Sequence, residues 1–178
     1  RSALDNAGYA VAIANGRNGK KAHFPFGDIE SEVNSRITGS SKDLPKEIFD
    51  LMVSFKPYKR GNALLWALNK LCNSQKHEII IPVAIAAGGL QLNHLVISGP
   101  GSIPCPQWDR TKNEMVLFRA KHGSPVNYDL QARTFIALAK VDVVDGQPAI
   151  NVFVEIGRIV ERIIAAIEAE ARRIGIVQ

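Results

Sequence analysis

Residues 62–98 read NALLWALNKLCNSQKHEIIIPVAIAAGGLQLNHLVIS, and the change of pattern inside this stretch decides the fold class. In its first part Leu64, Leu68 and Leu71 share one line with Leu65 and Cys72 beside them, the i, i+4, i+7 spacing of a helix that runs to about residue 75. Isoleucine and valine then dominate residues 78–87, and 94–98 is a second short apolar run. Branched side chains suit a pleated, half-buried surface, so both runs predict strands. A helical half joined to a strand-rich half without a linker argues for a single α+β domain over residues 1–178.

Upstream, residues 1–15 predict a helix with Ala3, Ala7, Ala10 and Ala14 along one face, Leu4 and Val11 beside them, and Gly16 as its cap. Nothing longer than a methyl group stands on that alanine line, so it should admit a closely packed neighbour and make the helix central. A short helix follows at 28–37, with Asp28, Glu30 and Glu32 at its positive dipole end. Asp43 or Leu44 opens a third helix, with Pro45 in the first turn, where its missing N–H costs nothing. Ile48, Phe49, Met52 and Val53 supply its buried face, and Pro57 forces it to stop.

Downstream, residues 115–120 and 134–144 predict two more strands, giving about four in one mainly antiparallel sheet. The glycines and prolines of 99–112, and residues 123–129, read as loops. After Pro148 comes the strongest helical pattern, with Val152, Ile156, Ile159, Val160, Ile163, Ile167, Ala171 and Ile174 on one stripe and Glu168 four residues before Arg172.

At 178 residues the chain can bury roughly two thirds of its unfolded surface without staples. Its 46% hydrophobic and 22% charged residues exclude the profile of a disordered segment. Two cysteines in unrelated contexts, Cys72 and Cys105, offer no disulfide framework and suit a reducing, cytoplasmic compartment. No run reaches the ~18 apolar residues of a membrane span. The chain opens at Arg1 already in helical register, so a further segment is expected upstream. A net charge of +5 permits an acidic partner. The basic groups Arg17, Lys20, Lys21 and Lys56, Lys59, Arg60 carry no interleaved aromatics and read as solvated surface.

No phosphate loop, nucleophile elbow, His-Glu-x-x-His helix or calcium loop is present. His23, His77, His94 and His122 stand at no ligand spacing, so neither a metal nor a cofactor is expected. Two polar constellations remain. On the first helix Arg1 and Asp5 lie at i, i+4 with Ser2, Asn6 and Tyr9 on the neighbouring line. They form either a surface ion pair worth a few tenths of a kcal/mol, roughly, or a guanidinium held ready to grip a phosphate or carboxylate. At the end of the Trp66 helix Asn69, Asn73, Lys76 and His77 share a face. There they either cap the last carbonyls or offer a functional polar surface.

The segments Arg1-Ser-Ala-Leu-Asp5-Asn6, Phe24-Pro25-Phe26, Phe55-Lys-Pro57-Tyr58, Leu65-Trp66 and Asn73-Ser-Gln-Lys76-His77 resemble, in order, a widespread set of uncharacterised bacterial proteins. Those proteins carry an Arg-Ser-Ala-Leu-Asp-His helix, a Phe-Pro-Ile segment, a Gln-Pro-Tyr turn and an Asn-x-x-Asp-Lys-His-Arg helix end. The match spans about the first 80 residues and brings no activity with it. Arg1 also resembles the arginine of the Arg-x4-His motif of HEPN ribonucleases, which act on RNA, usually as dimers. Asn6 stands where that motif has histidine, and an amide is no general acid or base. The expectation is therefore a bacterial, non-enzymatic or weakly active protein with an interaction site at Arg1, Asp5, Asn6, Asn73, Lys76 and His77. Its alternative is a HEPN-like RNA-binding or RNA-cleaving protein of a toxin or phage-defence type. Implied partners are RNA or an anionic small molecule, with homodimerisation and no membrane.

Overall fold

The computed structural model describes residues 1–74, 84–105, 108–109, 111–112, 114–138 and 141–177. In chain order the elements are α1 (Ser2–Ala14), α2 (Glu30–Ser35) running into a 3₁₀ turn (Arg36–Thr38), α3 (Lys46–Ser54), α4 (Ala63–Ser74), β1 (Ala84–Ile97), β2 (Gly101–Ser102), β3 (Trp108–Asp109), β4 (Glu114–Met115), β5 (Arg119–Ala120), β6 (Val126–Ala137) and α5 (Ala149–Arg173). The class is α+β. Contacts divide the chain into two compact units, Arg1–Ile85 with Ile136–Gln178, and Ala86–Phe135.

The first unit is helical. Its α5 packs against α1, α3 and α4, because Val152, Ile156, Ile163, Ile167 and Ala171 recur at helical spacing and are all buried. Facing them are Ile48, Phe49 and Met52 of α3 and Leu65, Ala67, Leu68 and Leu71 of α4, all in one apolar cluster. Two helices end alike. The N–H of Gly16 (φ 72°) donates to Ile13 O at 2.9 Å and that of Arg17 to Ala12 O at 2.8 Å. Gly175 (φ 75°) and Ile176 repeat the pattern on the carbonyls of Arg172 and Ala171 after α5. Both are the paired closure that needs a left-handed residue, hence glycine.

The alanine line of α1 is not its buried face. Ala3, Ala10 and Ala14 are exposed and Ala7 half-buried, whereas Leu4, Gly8, Val11 and Ala12 are buried. Burial follows apolar area, and leucine and valine outweigh four methyl groups. The close approach happens instead at Gly8. A Cβ there would stand 2.2 Å from the carbonyl oxygen of Ala22, so residue 22 lies directly on the α1 backbone.

In the second unit the strands do not form the expected four-stranded sheet. Among the described residues there are three two-stranded pairings, β1 with β6, β2 with β5 and β3 with β4. The two inner ones are antiparallel, with Gly101 opposite Ala120 and Trp108 opposite Met115. The chain thus doubles back on itself. The apolar run at 94–98 is the end of a continuous β1, and β6 begins inside the segment that reads as loop. A ribbon need not bury a whole face, so exposed Asn127, Asp129 and Gln131 are tolerated in it. Asn93 Nδ2 donates to Asp129 Oδ2 at 3.0 Å across the pair, and the Phe118 and Tyr128 rings meet at 5.6 Å. The start of the predicted strand, residues 78–83, lies outside the described residues.

Candidate functional site

Where the first turn of α1 meets the last turn of α4, a cleft of ≈ 620 Å³ opens. Its walls come from four pieces of chain: Arg1, Ser2 and Asp5 at the start of α1; Asn69, Cys72 and Asn73 of α4; His23, Phe24 and Phe26 of the loop after α1; and Arg36 and Ser40 in and just after the 3₁₀ turn. The loop is placed by two features. The Gly8 contact lays residue 22 on α1, and the N–H of Phe26 closes a tight turn about Pro25 onto Phe24 O at 2.9 Å. Arg36 Nε then donates to Phe26 O at 3.2 Å.

Asp5 is the hub. Its Oδ1 accepts the N–H of Phe24 at 3.0 Å and lies 3.7 Å from His23 Nδ1; its Oδ2 faces Arg1 Nε at 3.6 Å. Arg1 Nη1 donates to Asn73 Oδ1, and Asn73 Nδ2 donates to Asn69 Oδ1 at 3.2 Å. The Arg1 guanidinium also lies 5.7 Å from the Phe26 ring centre. A guanidinium held at Nε and Nη1 and backed by a ring keeps its orientation without a ligand, which is the condition for selective oxyanion contact.

Of the residues singled out from sequence, Arg1, Asp5 and Asn73 come together here. Asn6 is exposed on α1 and is not part of the lining. Lys76 and His77 lie outside the described residues. Sequence reasoning missed His23, Arg36, Ser40 and Cys72 as wall residues. A signal for His23 was present, since it directly precedes the apolar Phe24-Pro25-Phe26 anchor; Arg36, in the 3₁₀ turn after α2, had none. Among the described residues no group of three His, Cys, Asp or Glu side chains could hold a metal ion, and no helix is long and apolar enough to cross a membrane.

A second polar cluster lies around Trp66. Its indole N–H donates to Asp28 Oδ1 at 2.7 Å, Lys70 Nζ meets the same carboxylate at 2.8 Å, and Lys59 and Lys70 stand 5.2 and 5.4 Å from the ring centre. Lys59 also pairs with Asp142. The Lys70 hydrogen bond, then that of Trp66, holds the Asp28 carboxyl below the usual carboxylate range, and Lys59 does the same to Asp142. These contacts clip the loop before α2 onto α4 and the segment before α5 onto the loop that precedes α4, a structural role.

A depressed native pKa contributes stability above the unfolded value of about 4, and that stability is lost as pH falls through the native one. The stability difference between wild type and Asp28→Asn is therefore expected at neutral pH and should shrink below pH ~4. Urea unfolding along a pH series measures it, and an equal difference at pH 7 and pH 2 would refute the assignment.

Comparison with known proteins yields no matching family model, curated protein or solved structure.

Proposed function

We propose that this cleft is a binding site for a small polar ligand and that the chain acts as a binding protein, non-enzymatic or weakly active, in the cytoplasm of a bacterium. The observation that carries this reading is the Arg1 guanidinium, fixed by Asp5, Asn73 and Phe26 at the wall of a cleft. Residues from three of the five segments that carry the resemblance to uncharacterised bacterial proteins, Arg1 and Asp5, Phe24 and Phe26, and Asn73, line this one cleft although they are far apart in sequence.

A charge-assisted hydrogen bond is worth about 1.5–3 kcal/mol, so Arg1→Ala is expected to weaken ligand binding by roughly 10- to 100-fold. Calorimetric titration of both proteins with a panel of polar metabolites tests this, and equal affinities would end it. The HEPN-like alternative retains one favourable observation, an imidazole, His23, beside Asp5 in the same cleft as Arg1. Cleavage of structured RNA that is lost in both Arg1→Ala and His23→Ala supports the alternative; intact RNA removes it.

A further inference from the structure

We infer that the ligand of this cleft is an oxyanion, a phosphate or a carboxylate, and that Asn69 is the residue that makes the site select for it. The inference deepens the proposed binding role and rests on it. Asn69 is only 9% exposed, yet it lines the cleft. Its amide orientation follows from Arg1 through a chain of hydrogen bonds.

A guanidinium can only donate, so the Asn73 side-chain oxygen must face Arg1 and its nitrogen must face away. That nitrogen donates to Asn69, so the Asn69 oxygen in turn faces Asn73. What remains is Asn69 Nδ2, a two-hydrogen donor that meets no acceptor among the described residues. No sealed side-chain nitrogen or oxygen among them lacks a partner, so this one is not sealed, and the residue that carries it lines the cleft.

The acceptors of this network each already face a donor of the protein. Asp5 Oδ1 takes Phe24 N–H and Oδ2 faces Arg1, and the two asparagine oxygens each receive a donor. Donors are left over: Asn69 Nδ2, the Arg1 Nη2 group and the Arg36 guanidinium beyond its Nε. A wall of donors on a buried amide matches a ligand with several oxygen acceptors and negative charge; a cation or a donor-rich molecule would leave those groups unpaired.

The experiment titrates the full chain with inorganic phosphate, with acetate and with ethylammonium, following the side-chain amide NMR signals. Asn69→Asp exchanges the donor for an acceptor of equal shape while keeping the oxygen that Asn73 needs. Expected are binding of phosphate or acetate with a shift of the Asn69 amide signal, loss of about tenfold or more in Asn69→Asp, and no response to ethylammonium. Asn69→Ser, checked for folding by its thermal transition, serves if the aspartate variant does not fold. Oxyanion binding unchanged in a folded Asn69 variant overturns the inference, as does preference for ethylammonium or another non-anionic ligand that still depends on Arg1. Failure of every probe and metabolite, with no effect of Arg1→Ala, overturns the binding role itself.

Discussion

Ile163→Ala is expected to destabilise the protein by about 2–5 kcal/mol, the range for truncating a fully buried aliphatic side chain. Ile163 has no exposed surface and sits midway along α5, where the helix packs against α1, α3 and α4. Removing its outer carbons loses both transfer free energy and contacts, and three helices anchored at other points cannot all move in to fill the space. The same helix supplies a control. Ile150 is 71% exposed, so Ile150→Ala should stay within about 0.5 kcal/mol of wild type. Urea unfolding of the two variants measures the contrast. Equal losses would mean that α5 does not bury the face described.

The second large effect is a reversal of sign between two glycines. In a helix interior alanine is favoured over glycine by roughly 0.8–1 kcal/mol. At Gly157 of α5 an added Cβ meets nothing within 4 Å, so Gly157→Ala should stabilise by about that amount. At Gly8 of α1 the same atom would stand 2.2 Å from a backbone carbonyl oxygen. A main-chain oxygen cannot swing aside as a side-chain tip can, so overpacking, typically about 1–3 kcal/mol, overcomes the helix preference and Gly8→Ala destabilises. Because residue 22 is displaced, Phe24 N–H should also lose its place on Asp5, and ligand affinity should fall with stability. The melting temperatures of both variants test the pair, and a rise in both would show that the loop does not lie on α1 as described.

Helices were legible in the chain to within a few residues, because their signals are local. The 1–15 pattern becomes Ser2–Ala14 with Gly16 in its capping turn, and the long apolar stripe after Pro148 becomes α5. The strands were less legible. Residues 123–129 read as loop, yet β6 starts at Val126, because it is the β1 partner, far away in sequence, that makes this segment a strand. A strand in a narrow ribbon also lacks the alternation that one buried face imposes.

Spacing along one helix settled by itself that Arg1 and Asp5 are neighbours and that Asn69 and Asn73 share a face, since each pair is a single turn apart. Only the tertiary structure decided that these two pairs meet, that His23 and Arg36 join them, and that Asn69 keeps an unused donor. Those relations join residues up to 72 positions apart along the chain. Such long-range geometry is set by packing between helices and by one missing Cβ at Gly8, which no local pattern in the sequence records.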